Sequence, residues 1–109
     1  MGADIELVRV RRVGSSSRRW RRERCGTVLD SADRFAWLCR GSGLPMLERV
    51  DPYGSLTLSS AEMEQFLSEL DALRSQERAR LDEELLNQIR ELAVECAGDS
   101  DLELRIEGD

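Results

Sequence analysis

Apolar positions recur along this chain with a period that changes from one segment to the next. In residues 3–13, ADIELVRVRRV, Ile5 and Leu7 point to one side and Val8 and Val10 to the other, so the segment predicts a β-strand buried over part of both faces. Gly14 to Ser17 predict a flexible turn, and residues 14–26 then form either the second arm of a hairpin or an arginine-rich loop. A short strand is expected at residues 27–29. Asp30 or Ser31 offers an N-cap for a helix through SADRFAWLCRG, in which Phe35, Leu38 and Cys39 share a face and Gly41 stands where a C-terminal cap belongs.

Residues 49–73, RVDPYGSLTLSSAEMEQFLSELDAL, are the most explicit stretch. Asp51, Pro52 and Gly54 occupy the first, second and fourth positions of a type I turn. Leu56 and Leu58 alternate with Ser55 and Thr57, which predicts a strand. Ser59 and Glu62 then spell a capping box, with Leu58 and Met63 as its hydrophobic staple, and Met63, Phe66, Leu67, Leu70 and Leu73 recur at helical spacing. A second helical stripe comprises Leu81, Leu85, Ile89, Leu92, Ala93 and Cys96, stopped by Gly98. The polar stretch between the stripes lacks Gly and Pro, but the apolar pattern lapses for two turns, so two helices with a break near Ser75 are favoured over one. Leu102, Leu104 and Ile106 alternate with charged residues as a strand with one dry face. The expected fold is a single α+β domain over residues 1–109. Its small, mostly antiparallel sheet includes the N- and C-terminal strands, with two or three helices packed on one face.

Composition narrows the chemistry. The 109 residues suffice for one modest core, and 40% hydrophobic with 35% charged residues fits a folded, heavily charged domain. No apolar run approaches a membrane span, and no apolar segment follows a basic start, so a cytoplasmic protein is expected. Cys25, Cys39 and Cys96 are odd in number and widely spaced, which predicts reduced thiols. The chain has no His, and all sixteen basic residues are Arg. The commonest general base and metal ligand is therefore missing, as are Schiff-base chemistry and the phosphate-binding P-loop. Asp99, Asp101, Glu103, Glu107 and Asp109 cluster near the end, but Leu102 and Leu104 interrupt any calcium-loop spacing. Neither catalysis nor a metal or cofactor is expected.

Charge is segregated. Residues 1–24 hold eight Arg against three acids, a net of +5, while the remaining 85 residues hold eight Arg against nineteen acids, a net of −11. Arg18, Arg19, Arg21, Arg22 and Arg24 around Trp20 suggest phosphate neutralisation with base stacking, and so a nucleic-acid-associated function. The acidic body opposes that function, and self-paired or solvated arginines are the plainer expectation. Residues 60–109 alone carry fifteen acids against five Arg, with Arg78–Asp82 and Arg80–Glu84 at helical pair spacing. Such a surface suits electrostatically steered docking of a basic protein.

The DPYG turn preceded by Val50 and followed by a strand and the acidic helix EMEQFLSELDAL resembles a segment of small uncharacterised proteins of high-GC bacteria, some of the immunity-protein type. The resemblance covers residues 49–73 and transfers no functional residues. It implies an immunity- or antitoxin-like inhibitor, with Tyr53 projected from a rigid turn as an anchor. The expected function is thus non-catalytic binding of another, basic protein through Asp51, Tyr53, Glu64, Glu69 and Asp71. Nucleic-acid association through the N-terminal arginines is the alternative. A chain this small also has reason to bury an apolar stripe in a homodimer.

Overall fold

A computed structural model of the chain describes residues 2–12, 20–30 and 32–108, without the side chains of Arg12 and Trp20. The four strands are β1 (Ala3–Arg12), β2 (Trp20–Val28), β3 (Ser55–Ser59) and β4 (Leu102–Gly108). They form one antiparallel sheet in the order β2-β1-β4-β3, so the first and last strands of the chain lie in its centre. The helices α1 (Arg34–Cys39), α2 (Met63–Arg74) and α3 (Glu83–Ala97) complete the predicted α+β architecture.

The register explains the two-layer construction. Val28, Ile5, Ile106 and Leu56 align across the four strands, and Leu7, Leu104 and Leu58 form the next row. These side chains meet Phe35, Leu38, Met63, Phe66, Leu70, Leu86, Ile89 and Ala93 in a single core. Helix α3 crosses β1, β2 and β4 and packs beside α2. It comes so close to β2 that a Cβ on Gly26 would lie 2.7 Å from Leu92 Cδ2. The opposite face carries Glu6, Thr27, Arg105 and Thr57 in one row. Val8, buried on that face, fulfils the expectation of a strand dry on part of both sides.

Residues 20–26 of the arginine-rich segment form a strand antiparallel to β1, as the hairpin alternative expects, and the short strand expected at 27–29 is the end of the long β2. A register shift between Leu7 and Val8 leaves Cys25 as an extra residue on β2. The turn expected at Gly14–Ser17 lies outside the described residues, as do Ser31, Arg18 and Arg19.

Helix α1 is shorter than its predicted span because Asp33, at φ 58°, interrupts the helical conformation just before it. Asp30 nevertheless supplies the cap from further away: its Oδ1 accepts from Phe35 N at 2.9 Å and its Oδ2 from Ala36 N at 3.1 Å. Gly41 adopts the expected left-handed conformation, φ 72°, after the helix. The capping box is present, with Ser59 N donating to Glu62 Oε1 at 2.9 Å, and one 3₁₀ turn, Ser60–Glu62, intervenes before α2.

The predicted break after α2 is real. Ser75 ends the helix, and the connector to α3 holds only one 3₁₀ turn, Glu77–Ala79. Two expectations fail as a result. Leu81 falls in the connector rather than on the second stripe and is 91% exposed, its place in the core taken by Leu86. Arg78 and Arg80 do not sit on a common helix with Asp82 and Glu84, so the expected helical ion pairs do not arise; Asp82 pairs with Arg34 instead, at 2.7 Å.

Thiol chemistry follows from the burial. Cys39 and Cys96 lie in the core, and burial drives both thiols up, that of Cys96 to about 11. Cys25 is exposed. Titration of the native protein with a thiol reagent is expected to modify Cys25 alone quickly, the other two reacting only after denaturation. Rapid modification of more than one thiol would contradict this packing.

Candidate functional site

Of the residues expected to bind a partner, Asp51, Tyr53, Glu64 and Asp71 are exposed and Glu69 is not. Glu69 is a correction: it is 7% exposed and faces inward from α2. Its Oε1 accepts from Met46 N at 2.9 Å and Leu47 N at 3.0 Å, so it caps the 3₁₀ turn Leu47–Arg49, while Oε2 takes Gln65 Nε2 at 2.8 Å. Asp71 is exposed but tied to Arg90 Nε at 3.1 Å. That pair and Arg74–Glu83, at 3.4 Å, link α2 to α3 along a groove of about 1210 Å³. Glu64 is exposed in the first turn of α2. Asp51 uses Oδ1 to accept from Tyr53 N at 2.9 Å, closing the predicted turn, and Gly54 N donates to Asp51 O at 3.2 Å. Tyr53 projects from this turn with 78% of its surface exposed. Asp51 and Tyr53 precede β3 whereas Glu64 follows it, so the strand separates them along the chain.

A different surface, not anticipated from the sequence, forms where the connector between α2 and α3 lies along α1. Arg78 reaches back to the C-terminal carbonyls of α1, donating to Trp37 O at 2.9 Å, Arg40 O at 3.2 Å and Gly41 O at 3.4 Å. These are the acceptors that a helix end leaves unsatisfied, and a cation there also meets the negative end of the helix dipole. The Arg78 guanidinium carbon stands 4.4 Å from the Trp37 ring centroid and that of Arg34 at 4.6 Å. Arg34 is in turn held by a two-pronged bond to Asp82, Nε to Oδ1 at 3.1 Å and Nη2 to Oδ2 at 2.7 Å. The guanidinium of Arg34 keeps its proton even more firmly beside that carboxylate. Trp37 is thus flanked by two guanidinium groups while 48% exposed, and Leu81 lies in the connector between Arg78 and Asp82, both bonded to α1. The sequence signal was an aromatic off the Phe35–Leu38–Cys39 stripe; of its two arginine partners, Arg34 lies one helical turn before it and Arg78 lies 41 residues away.

The arginine hairpin divides into two parts. Near the body its cations are self-paired: Arg24 with Glu6 at 3.0 Å and Arg9 with Asp99 at 2.7 Å. Asp99 also accepts Asp101 N at 2.9 Å, and these bonds, the backbone one foremost, hold its carboxyl below the usual carboxylate range. Within the terminal acidic cluster, Asp99 therefore anchors β1, reinforced by the backbone bond from Val10 N to Asp101 O at 2.8 Å. Beyond Arg9 the pairing with β4 ends, and β1 and β2 continue as a two-stranded ribbon. There Arg11 faces Arg21 and Val10 faces Arg22 across the ladder. Arg21 and Arg22 are exposed and make no ion pair among the described residues. Trp20 pairs with Arg12 at the backbone level, and Arg18 and Arg19 fall outside the described residues. In comparisons with protein-family models, curated proteins and solved structures, nothing matches this chain.

Proposed function

We propose that this protein acts without catalysis by binding another protein, and that Trp37 anchors the interface. The supporting observation is that Trp37 is half exposed and stacked against two arginines, each of which is itself held by hydrogen bonds. Energetic centres of interfaces are enriched in Trp, Tyr and Arg, and a preorganised ring loses little entropy when a partner covers it. The net charge of −11 on residues 25–109 favours a basic partner by steering its approach. An immunity-like inhibitor of a basic toxin is the sharpest form of this proposal.

Affinity capture from the source cell extract, with and without nuclease, tests it. A protein partner retained after nuclease treatment should be lost with Trp37→Ala, because truncating such an anchor costs about 2 kcal/mol or more, roughly thirtyfold in affinity. Unchanged capture by the folded Trp37→Ala variant would refute the assignment of Trp37.

A second function, association with nucleic acid, draws on the Arg11–Arg21 pairing, because like charges placed directly opposite destabilise a ladder unless an anion relieves them. Nuclease-sensitive capture that depends on Arg21 and Arg22 but not on Trp37 would favour it over protein binding.

A further inference from the structure

Among the described residues the sheet has two edge strands without a further strand partner, β2 and β3, and they are of opposite character. On β2 the edge sequence includes Arg21, Arg22, Glu23 and Arg24, and charges of this kind discourage strand-to-strand association. On β3 the sequence is Ser55-Leu56-Thr57-Leu58-Ser59, five residues without a charge in a chain that is 35% charged. This sequence is also a palindrome centred on Thr57.

Backbone directions along β3 follow from its end. Gly108 N donates to Gly54 O at 2.6 Å, so Gly54 faces β4. Alternation then turns the peptide groups of Leu56 and Leu58 toward β4 and those of Ser55, Thr57 and Ser59 toward the free edge. Ser59 N is consistent with this, being free of β4 and bonded to Glu62. Among the described residues, no other hydrogen bond within the chain engages the outward groups of Ser55 and Thr57. The side chains of Ser55, Thr57 and Ser59 are exposed, and Leu56 is only partly buried at the rim of the core.

We propose that β3 is a self-association edge, at which a second copy of this chain adds its own β3 antiparallel about a two-fold axis through Thr57. A two-fold antiparallel contact sets each residue against its mirror position, so the palindrome makes the edge complementary to itself. Thr57 meets Thr57 of the second copy and the two exchange both backbone bonds. Ser55 meets Ser59, and Leu56 meets Leu58 on the helix-covered side, where the partly buried Leu56 gains cover. No charge opposes a charge anywhere along the five pairs. The outcome is a continuous eight-stranded sheet whose outer edges are the two arginine-rich β2 strands.

Disulfide trapping in the full-length protein tests the axis directly, in a Cys25→Ser background that leaves only the two buried thiols. Two residues exchanging bonds across an antiparallel ladder lie about 5.5 Å apart at Cα, within disulfide reach. Thr57→Cys should therefore cross-link to itself under mild oxidation. Ser55→Cys should not, because its two copies would be roughly 14 Å apart, but a mixture of Ser55→Cys and Ser59→Cys chains should cross-link. Analytical ultracentrifugation of the unmodified chain should show a concentration-dependent dimer, weakened roughly tenfold or more by Thr57→Lys, which places like charges opposite each other. A chain that stays monomeric throughout, or a dimer that neither cross-links at position 57 nor responds to Thr57→Lys, would overturn the proposal. Unchanged circular dichroism of Thr57→Lys separates loss of the contact from loss of the fold.

Discussion

Replacing Asp30 by Ala is expected to cost about 3–5 kcal/mol of folding stability, a larger loss than truncating any other polar side chain of this protein should cause. Asp30 is 2% exposed, and its two oxygens accept three backbone N–H groups: Ala3 at 3.1 Å, Phe35 at 2.9 Å and Ala36 at 3.1 Å. Its own N–H donates to Asp4 Oδ1 at 2.8 Å. One side chain thereby joins the start of β1, the end of β2 and the first turn of α1. Alanine would leave three buried donors without acceptors, each carrying a desolvation penalty, in a domain whose total stability is on the order of 5–15 kcal/mol. Asn is expected to recover only part of the loss, since its amide NH2 must face at least one of the three N–H groups. Urea denaturation followed by circular dichroism measures both. A cost below about 1 kcal/mol for Asp30→Ala would show that these bonds do not hold the three elements together.

For Glu69 the informative comparison is between two variants. Glu69→Ala strands Met46 N and Leu47 N and should destabilise the fold by about 2–4 kcal/mol. Glu69→Gln keeps an oxygen at that position, and Gln65 can turn its own amide to match, so its cost should stay near about 1 kcal/mol or less. The same denaturation measurement reads both, and Glu69→Gln should also leave partner capture unchanged, because the side chain is buried behind α2. Weakened capture by a stable Glu69→Gln protein would return this residue to the binding interface that its place in an acidic amphipathic helix suggests.

These two carboxylates show where the sequence stops being legible. Nothing in the spacing of acids along EMEQFLSELDAL separates Glu69, which turns inward to cap a distant backbone turn, from Glu64, which faces outward. An acid is expected at the surface unless something compensates its burial, and the compensating N–H groups come from residues 46 and 47, which only the folded chain brings near. Asp30 was visible as a cap, yet its reach over five and six residues depended on Asp33 adopting a left-handed conformation. Trp37 and Arg78 could not be linked in advance for the same reason.

What the sequence determined by itself was local or periodic. Alternation placed β1, β3 and β4, with Leu7, Leu58 and Leu104 toward the core, because a half-buried strand must repeat every two residues. The capping box, the DPYG turn and the break after α2 were readable because each depends on neighbours within a few positions. The course of residues 20–28 was decided in three dimensions. An arginine-rich segment carries little apolar pattern, and its extension as β2 depends on the ladder offered by β1. Tertiary structure likewise decided which charges are paired within the molecule: Arg9, Arg24, Arg34, Asp71, Asp82 and Asp99 are bound to partners between 18 and 90 residues away, while Arg21 and Arg22 point to solvent. Charge acts through space, so its pairing is known only once the chain has folded.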